Sequence, residues 1–178
     1  MSPYLVGVIV ALGAVVIFAT LPWTLPRSWY RALFYSGGKP NAFTRRINSA
    51  QARLSALGVL PPVVAALETR GRRSGKAHLT QLVVARIGGE RYLVSMLGEN
   101  VDWVRNVRAS EGGAVLRHGI SEKVKLEDVP MPERAPILKA YVKQAPGGRP
   151  HFDLGVDAPL AEFAKVAERY PVFHIVAQ

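Results

Sequence analysis

After Pro62 the chain breaks into short apolar runs set apart by glycine, and that punctuation constrains the fold more than any other feature of its 178 residues. Residues 63–69, 79–87 and 90–97 read as strands, joined by the tight loop 70–76 and by Gly88-Gly89, a pair suited to a two-residue hairpin turn. Residues 102–109 read as a short helix. Residues 114–118 and 122–129 form a second hairpin turning at Gly119, in which Val124 and Leu126 alternate with Lys123, Lys125 and Glu127. Residues 132–144 and 157–169 are expected helices, each opened by an early proline, and 172–176 is a closing strand. About six strands in hairpins with helices at the margins predict an antiparallel barrel of the α+β class, and argue against a doubly wound parallel sheet.

Ahead of this lies a stretch of different texture. No charged residue occurs from position 2 to position 26, and 4–25 is dominated by Val, Ile, Leu, Ala, Phe and Gly, closing with Trp23. At about 1.5 Å per residue, a helix of roughly 22 residues crosses the roughly 30 Å hydrocarbon layer, so residues 1–26 are expected to be a single-pass transmembrane anchor. The competing readings are a buried core helix and a cleaved signal peptide; the latter lacks a basic n-region, and Ala19-Thr20-Leu21-Pro22 is a poor cleavage site. The cations that follow are Arg27, Arg31, Lys39, Arg45, Arg46 and Arg53, and the first acidic residue is Glu68. This bias places the C-terminal body in the cytoplasm, where each cation near the surface gains about 1 kcal/mol from anionic membrane lipid. Asn41 is expected to cap a helix whose apolar residues Phe43, Ile47, Ala50, Leu54 and Leu57 recur at helical spacing, stopped by Gly58 and Pro61-Pro62 and presenting a basic outer face; it packs on the core with its arginines solvated, or lies on a membrane surface, and both can hold together. The expected organisation is therefore an anchor over 1–26, a basic juxtamembrane segment with an amphipathic helix over 27–60, and a barrel domain over 61–178.

Charge and composition narrow the chemistry. Lys+Arg 23 against Asp+Glu 13 leaves +10, which favours an anionic partner. With Cys 0 there is no disulfide scaffold, thiolate metal site, cysteine nucleophile or iron–sulfur cluster. His78, His118, His151 and His174 are scattered without ligand spacing, so no metal site is expected. The chain has no His-Glu-x-x-His, no Gly-x-Ser-x-Gly and no Gly-x-Gly-x-x-Gly after a strand. The run Gly71 to Ala77 is one residue short of a Walker loop and lacks its Ser/Thr after Lys. No aromatic-interleaved RNA motif accompanies the positive charge, so nucleic acid is not an expected partner. Redox chemistry in such a chain belongs to a bound organic cofactor.

The loop 70–76 is the candidate site. Arg70, Arg72, Arg73 and Lys76 crowd cations into it, and two glycines let the backbone turn and expose N–H groups, a nest for anions. A solvated basic turn is the alternative. His78 and Thr80 share one face of the outgoing strand by its period of two, and Trp103 and Asn106 lie one helical turn apart on the next helix. Cations, polar strand groups and an aromatic together suit a long, anionic, ring-bearing cofactor.

The segment Leu67-Glu68-Thr69-Arg70-Gly71-Arg72-Arg73-Ser74-Gly75-Lys76, then Leu82, Gly88-Gly89 and Trp103-Val104-Arg105-Asn106-Val107-Arg108-Ala109, resembles the deazaflavin-dependent nitroreductase family, also called the coenzyme F420-dependent quinone reductases. The resemblance runs from about Arg45 to the C-terminus. It implies a split β-barrel, like that of the flavin-binding pyridoxamine-phosphate oxidases, and binding of coenzyme F420, a deazaflavin with a phospholactyl-oligoglutamate tail. It also implies that Arg72, Arg73 and Ser74, with Lys76, hold the phosphate and tail. The strand His78, Leu79, Thr80, Gln81 and Leu82 would run along the ring and ribityl chain. Ser95, Met96, Leu97 and Gly98 would contact the deazaflavin, and Asp102, Trp103, Val104, Arg105 and Asn106 would close the pocket. Ala77 and Gln81 stand where the family often has proline, and Met96-Leu97-Gly98 where it often has a lysine. A tyrosine-rich lid is reduced to Tyr141, with His151 and Phe152 nearby, which makes Tyr141 the candidate catalytic proton donor.

Two functions follow as expectations. One is a membrane-anchored oxidoreductase that passes a hydride from reduced F420 to a quinone or similar lipophilic acceptor. The other is a non-catalytic barrel that carries or senses a flavin such as FMN, a haem or a lipid. A homodimer is left open by the sequence.

Overall fold

A computed structural model describes residues 26–36 and 39–178. The anchor expected over 1–26 lies outside the described residues save for Pro26. No helix among the described residues is long and apolar enough to cross a membrane.

Helix α1 (Arg27–Phe34) leads into a minimal hairpin, β1 (Tyr35–Ser36) with β2 (Lys39–Pro40), and then into α2 (Ala42–Ala56). Asn41 caps α2 as its sequence position predicts, its Oδ1 accepting from the Thr44 amide at 2.9 Å. Then come β3 (Val64–Arg70), β4 (Ala77–Ile87), β5 (Glu90–Val94), α3 (Asp102–Ala109), β6 (Gly113–His118), β7 (Ile120–Asp128), α4 (Arg134–Gln144), α5 (Leu160–Val166) and β8 (Val172–Ala177), with short 3-10 turns at Met131–Glu133, Pro146–His151 and Ala167–Arg169.

The last six strands close an antiparallel barrel in the order β3-β4-β5-β8-β7-β6. Closure is made where Leu67 of β3 faces Leu116 of β6. The predicted strands are all present, β4 beginning two residues early at Ala77 and β5 ending at Val94. Both Gly88 and Gly89 have positive φ, which the two-residue β4–β5 turn requires.

Period-two alternation sorts each strand between two cores. Ala65, Leu67, Val84, Leu93, Leu116, Val124, Leu126, Phe173 and Ile175 point into the barrel, where α3 adds Trp103, Val104 and Val107. Outside the wall, Ala85, Val94 and Val172 pack against Leu138, Tyr141, Val142 and Phe163 from α4 and α5. Each large apolar side chain so buried contributes roughly 1.5–3 kcal/mol. Helix α3 thus stoppers one end of the barrel, and that placement builds the site.

Helix α2 departs from expectation. It buries Thr44, Ala52 and Ser55 and leaves Phe43 and Leu57 exposed. Small residues seat the helix against β3 and β4, so the stripe read from the sequence lies only partly on the contact face: Ile47 and Leu54 are half-buried while Phe43, Ala50 and Leu57 face out.

Candidate functional site

The β3–β4 loop folds over the start of α3, and one side chain holds the two together. Asn106 is buried; its Oδ1 accepts from the Arg72 amide at 3.2 Å and from Arg72 Nη1 at 3.1 Å. Its Nδ2 donates to Oγ1 of buried Thr69 at 3.3 Å. Arg72 also pairs with Asp102 at 3.1 Å. The Thr-x-Gly-Arg and Trp-x-x-Asn segments, more than thirty residues apart in the chain, are therefore one hydrogen-bonded unit.

Within the loop, the Gly71 amide donates to Lys76 O and the Gly75 amide to Gly71 O, each at 2.8 Å. The Arg73 and Ser74 amides meet no acceptor among the described residues, and the Arg70, Arg73 and Lys76 side chains enter no ion pair or hydrogen bond there. Adjacent amides and three uncommitted cations make an anion cradle. The His78 ring and the Ser74 hydroxyl lie over Gly71, so close that a Cβ there would sit 2.8 Å from His78 Nε2 and 2.7 Å from Ser74 Oγ.

The strand residues expected to line a bound ring divide by period. His78 and Thr80 share the loop's face, and Leu82 on the same face packs into the barrel core. Leu79 and Gln81 point the other way, Gln81 Nε2 donating to Ser55 of α2 at 3.4 Å.

Three of the remaining expected residues, Trp103, Val104 and Tyr141, are buried. Trp103 is 6% exposed and meets Phe173 edge-on at 5.5 Å, so it plugs the barrel from within. Val104 beside it is fully buried. Arg105 is exposed and donates to Asn100 at 2.6 Å, bracing the turn before α3. Tyr141 lies in the core between α4 and the barrel wall, its ring 5.8 Å from Phe152, and lines neither the hollow around His151 nor the cleft beside Arg70. Burial pushes its phenol pKa far up, so it keeps its proton.

Ser95 Oγ donates to Gly98 O at 2.6 Å and shapes the turn after β5. Met96, Leu97 and Gly98 then line a hollow of about 510 Å³ with Tyr35, His151, Arg169 and Tyr170. Tyr35 meets the His151 ring edge-on at 4.4 Å, and Tyr170 donates its hydroxyl to His151 O at 2.9 Å. Sequence reasoning missed Tyr35, Arg169 and Tyr170, which come from separate elements with no shared period. A smaller cleft, about 280 Å³, opens beside the loop between Arg70 and Lys123. Arg108 braces the turn that leads into α3, gripping Glu99 and Asp128.

Among solved structures, an F420-H2 dependent reductase is 21% identical, covering 65% of this chain and 96% of its own, with a TM-score of 0.46. A conserved hypothetical protein of Mycobacterium tuberculosis is 19% identical over 69% of this chain and 78% of its own, at 0.49. An F420 reductase is 16% identical over 70% and 92%, at 0.41. No curated protein matches the chain. The family described as F420H(2)-dependent quinone reductase matches residues 42–161, a span that holds the loop, Thr69, Trp103 and Asn106. The chain belongs to that family and is an F420-dependent oxidoreductase.

Proposed function

We propose that this reductase passes a hydride from F420H2 to a quinone or similar lipophilic acceptor, at a membrane to which residues 1–26 tether its cytoplasmic body. The observation that carries the cofactor side is the Asn106 clamp, which holds a loop with two unengaged amides and uncommitted cations at one end of the barrel. That donor set fits a phosphate and a row of carboxylates. Arg73, Ser74 and Lys76 would hold the tail, Arg72 shapes the loop, and His78 and Thr80 would line the ribityl side. When bound, the reduced deazaflavin supplies the hydride, and the protein's part is to bind, orient and exclude.

For the acceptor, the hollow at Tyr35, Met96, Leu97, His151 and Tyr170 has the size and lining of a small-molecule site. Converting a quinone to its quinol takes one hydride and one proton. Tyr141 is buried and lines neither hollow, which supports solvent as the source of the proton. The uncharged stretch 2–26 and the six cations before Glu68 support the tether and its orientation.

The test is a fluorescence titration of the full chain with F420, and separately with FMN and haem, followed by quinone reduction with F420H2 or NADPH as donor. Tight F420 binding with F420H2-driven turnover is the expected result. Equal turnover with NADPH overturns the cofactor assignment, and tight binding without turnover returns the carrier reading.

A further inference from the structure

The outward line of α2 carries Phe43, Arg46, Ala50, Arg53 and Leu57 at spacings of three and four, so all five lie on one exposed face. Phe43 is 62% exposed and Leu57 70%. Leu57 does not stand alone. The Gly119 amide donates to Ala56 O at 3.0 Å, and Gly58 meets Gly119 so closely that a Cβ there would fall 2.9 Å from its backbone. This contact brings the β6–β7 turn against the end of α2, and the apolar residues next to it in the chain, Leu57, Val59 and Ile120, are 70%, 67% and 78% exposed. Water-facing apolar groups grouped in this way mark an interaction surface.

We propose that this face docks on the surface of an anionic lipid bilayer, with Phe43, Leu57, Val59 and Ile120 entering the headgroup layer and Arg46 and Arg53 meeting lipid phosphates. Charge complementarity selects this occupant. No acidic residue precedes Glu68, and Arg46 and Arg53 enter no ion pair among the described residues, so the apolar side chains are interleaved with uncommitted cations. A core-facing surface would strand those cations, whereas a bilayer interface accepts both groups, the arginine stems lying along the acyl boundary with their heads in the phosphate layer. In the sequence the uncharged stretch 2–26 immediately precedes α1, so a body tethered through it would be held within reach of the lipid. On α1, Trp29 and Leu33 lie four residues apart and are exposed as well. Helix α1 runs into Tyr35, which lines the 510 Å³ hollow.

The face can be read without F420. Because the chain has no cysteine, Ile120→Cys, Phe43→Cys and a control, Glu127→Cys, each take one environment-sensitive fluorophore. Glu127 lies on the same strand as Ile120, seven residues and roughly 23 Å along it. With the full chain in phosphatidylglycerol-containing vesicles, labels at 120 and 43 should shift to the blue and be quenched by a lipid-borne spin label, and the label at 127 should do neither. Arg46→Glu with Arg53→Glu should at least halve the quenching at 120. A chain that partitions with the vesicles while its label at 120 stays as aqueous as that at 127 overturns the face and leaves the tether standing. A chain absent from the vesicle fraction overturns both. A blue shift in lipid-free detergent that grows with protein concentration assigns the face to a second copy and overturns the proposal.

Discussion

Asn106 has no surface to offer a ligand, yet the loop's shape depends on it. Removing its side chain strands the buried Thr69 hydroxyl and takes the partner from the half-buried Arg72 amide, at a cost of about 1–3 kcal/mol. Asn106→Ala should therefore lower stability by that amount in urea denaturation and also weaken F420 binding, because the cradle loses its support. Arg73→Ala with Lys76→Ala should leave stability nearly unchanged, since neither side chain is paired, while weakening F420 binding by about 1.5–3 kcal/mol per lost contact in a fluorescence titration. A different residue pair governs acid behaviour. Arg91 grips Glu122 through two hydrogen bonds, of 2.6 and 2.7 Å, and holds its carboxyl below the ordinary 4.5. The folded state binds that proton more weakly than the unfolded chain does, so the stabilisation is present above 4.5 and lost as pH falls through the lowered value. The Tm gap between the parent and Glu122→Gln should be widest at neutral pH and close in the acid range.

At the level of elements, two glycines separate a structural turn from a binding loop. Gly112, at φ +91, sits between α3 and β6, and a Cβ on it would fall 2.6 Å from the Leu126 carbonyl oxygen. That obstacle is backbone. Gly112→Ala should destabilise the fold by about 1–3 kcal/mol, measured by urea denaturation. At Gly71 the obstacles are the side chains of Ser74 and His78, which can move aside. Gly71→Ala should thus leave the denaturation midpoint close to the parent's while weakening F420 binding by displacing both groups from the cradle. The elements themselves were legible in the sequence: the Gly88-Gly89 hairpin, the Asn41 cap and α3 at residues 102–109 rest on turn chemistry, capping and short-range period. Less legible was the face each element presents. Phe43 and Leu57 belong to a regular apolar stripe, but the residues of α2 that are fully buried are the small Thr44, Ala52 and Ser55.

For the whole molecule, +10 and an uncommitted basic loop predict that F420 binding weakens as salt rises, seen as a falling affinity in titrations from low to high ionic strength. From the sequence alone came the antiparallel barrel, the basic loop, the family to which Thr69, Arg72, Trp103 and Asn106 point, and the absence of thiol and Rossmann chemistry. All of these depend on which residue types stand near one another along the chain. The tertiary structure decided that Trp103 is a plug, that Arg72 shapes the loop through Asn106, that Tyr141 is buried, and that Tyr35, His151 and Tyr170 meet around one hollow. Those outcomes follow from barrel closure, which brings distant segments together and leaves volume for some side chains and not others, a competition for space that no local pattern records.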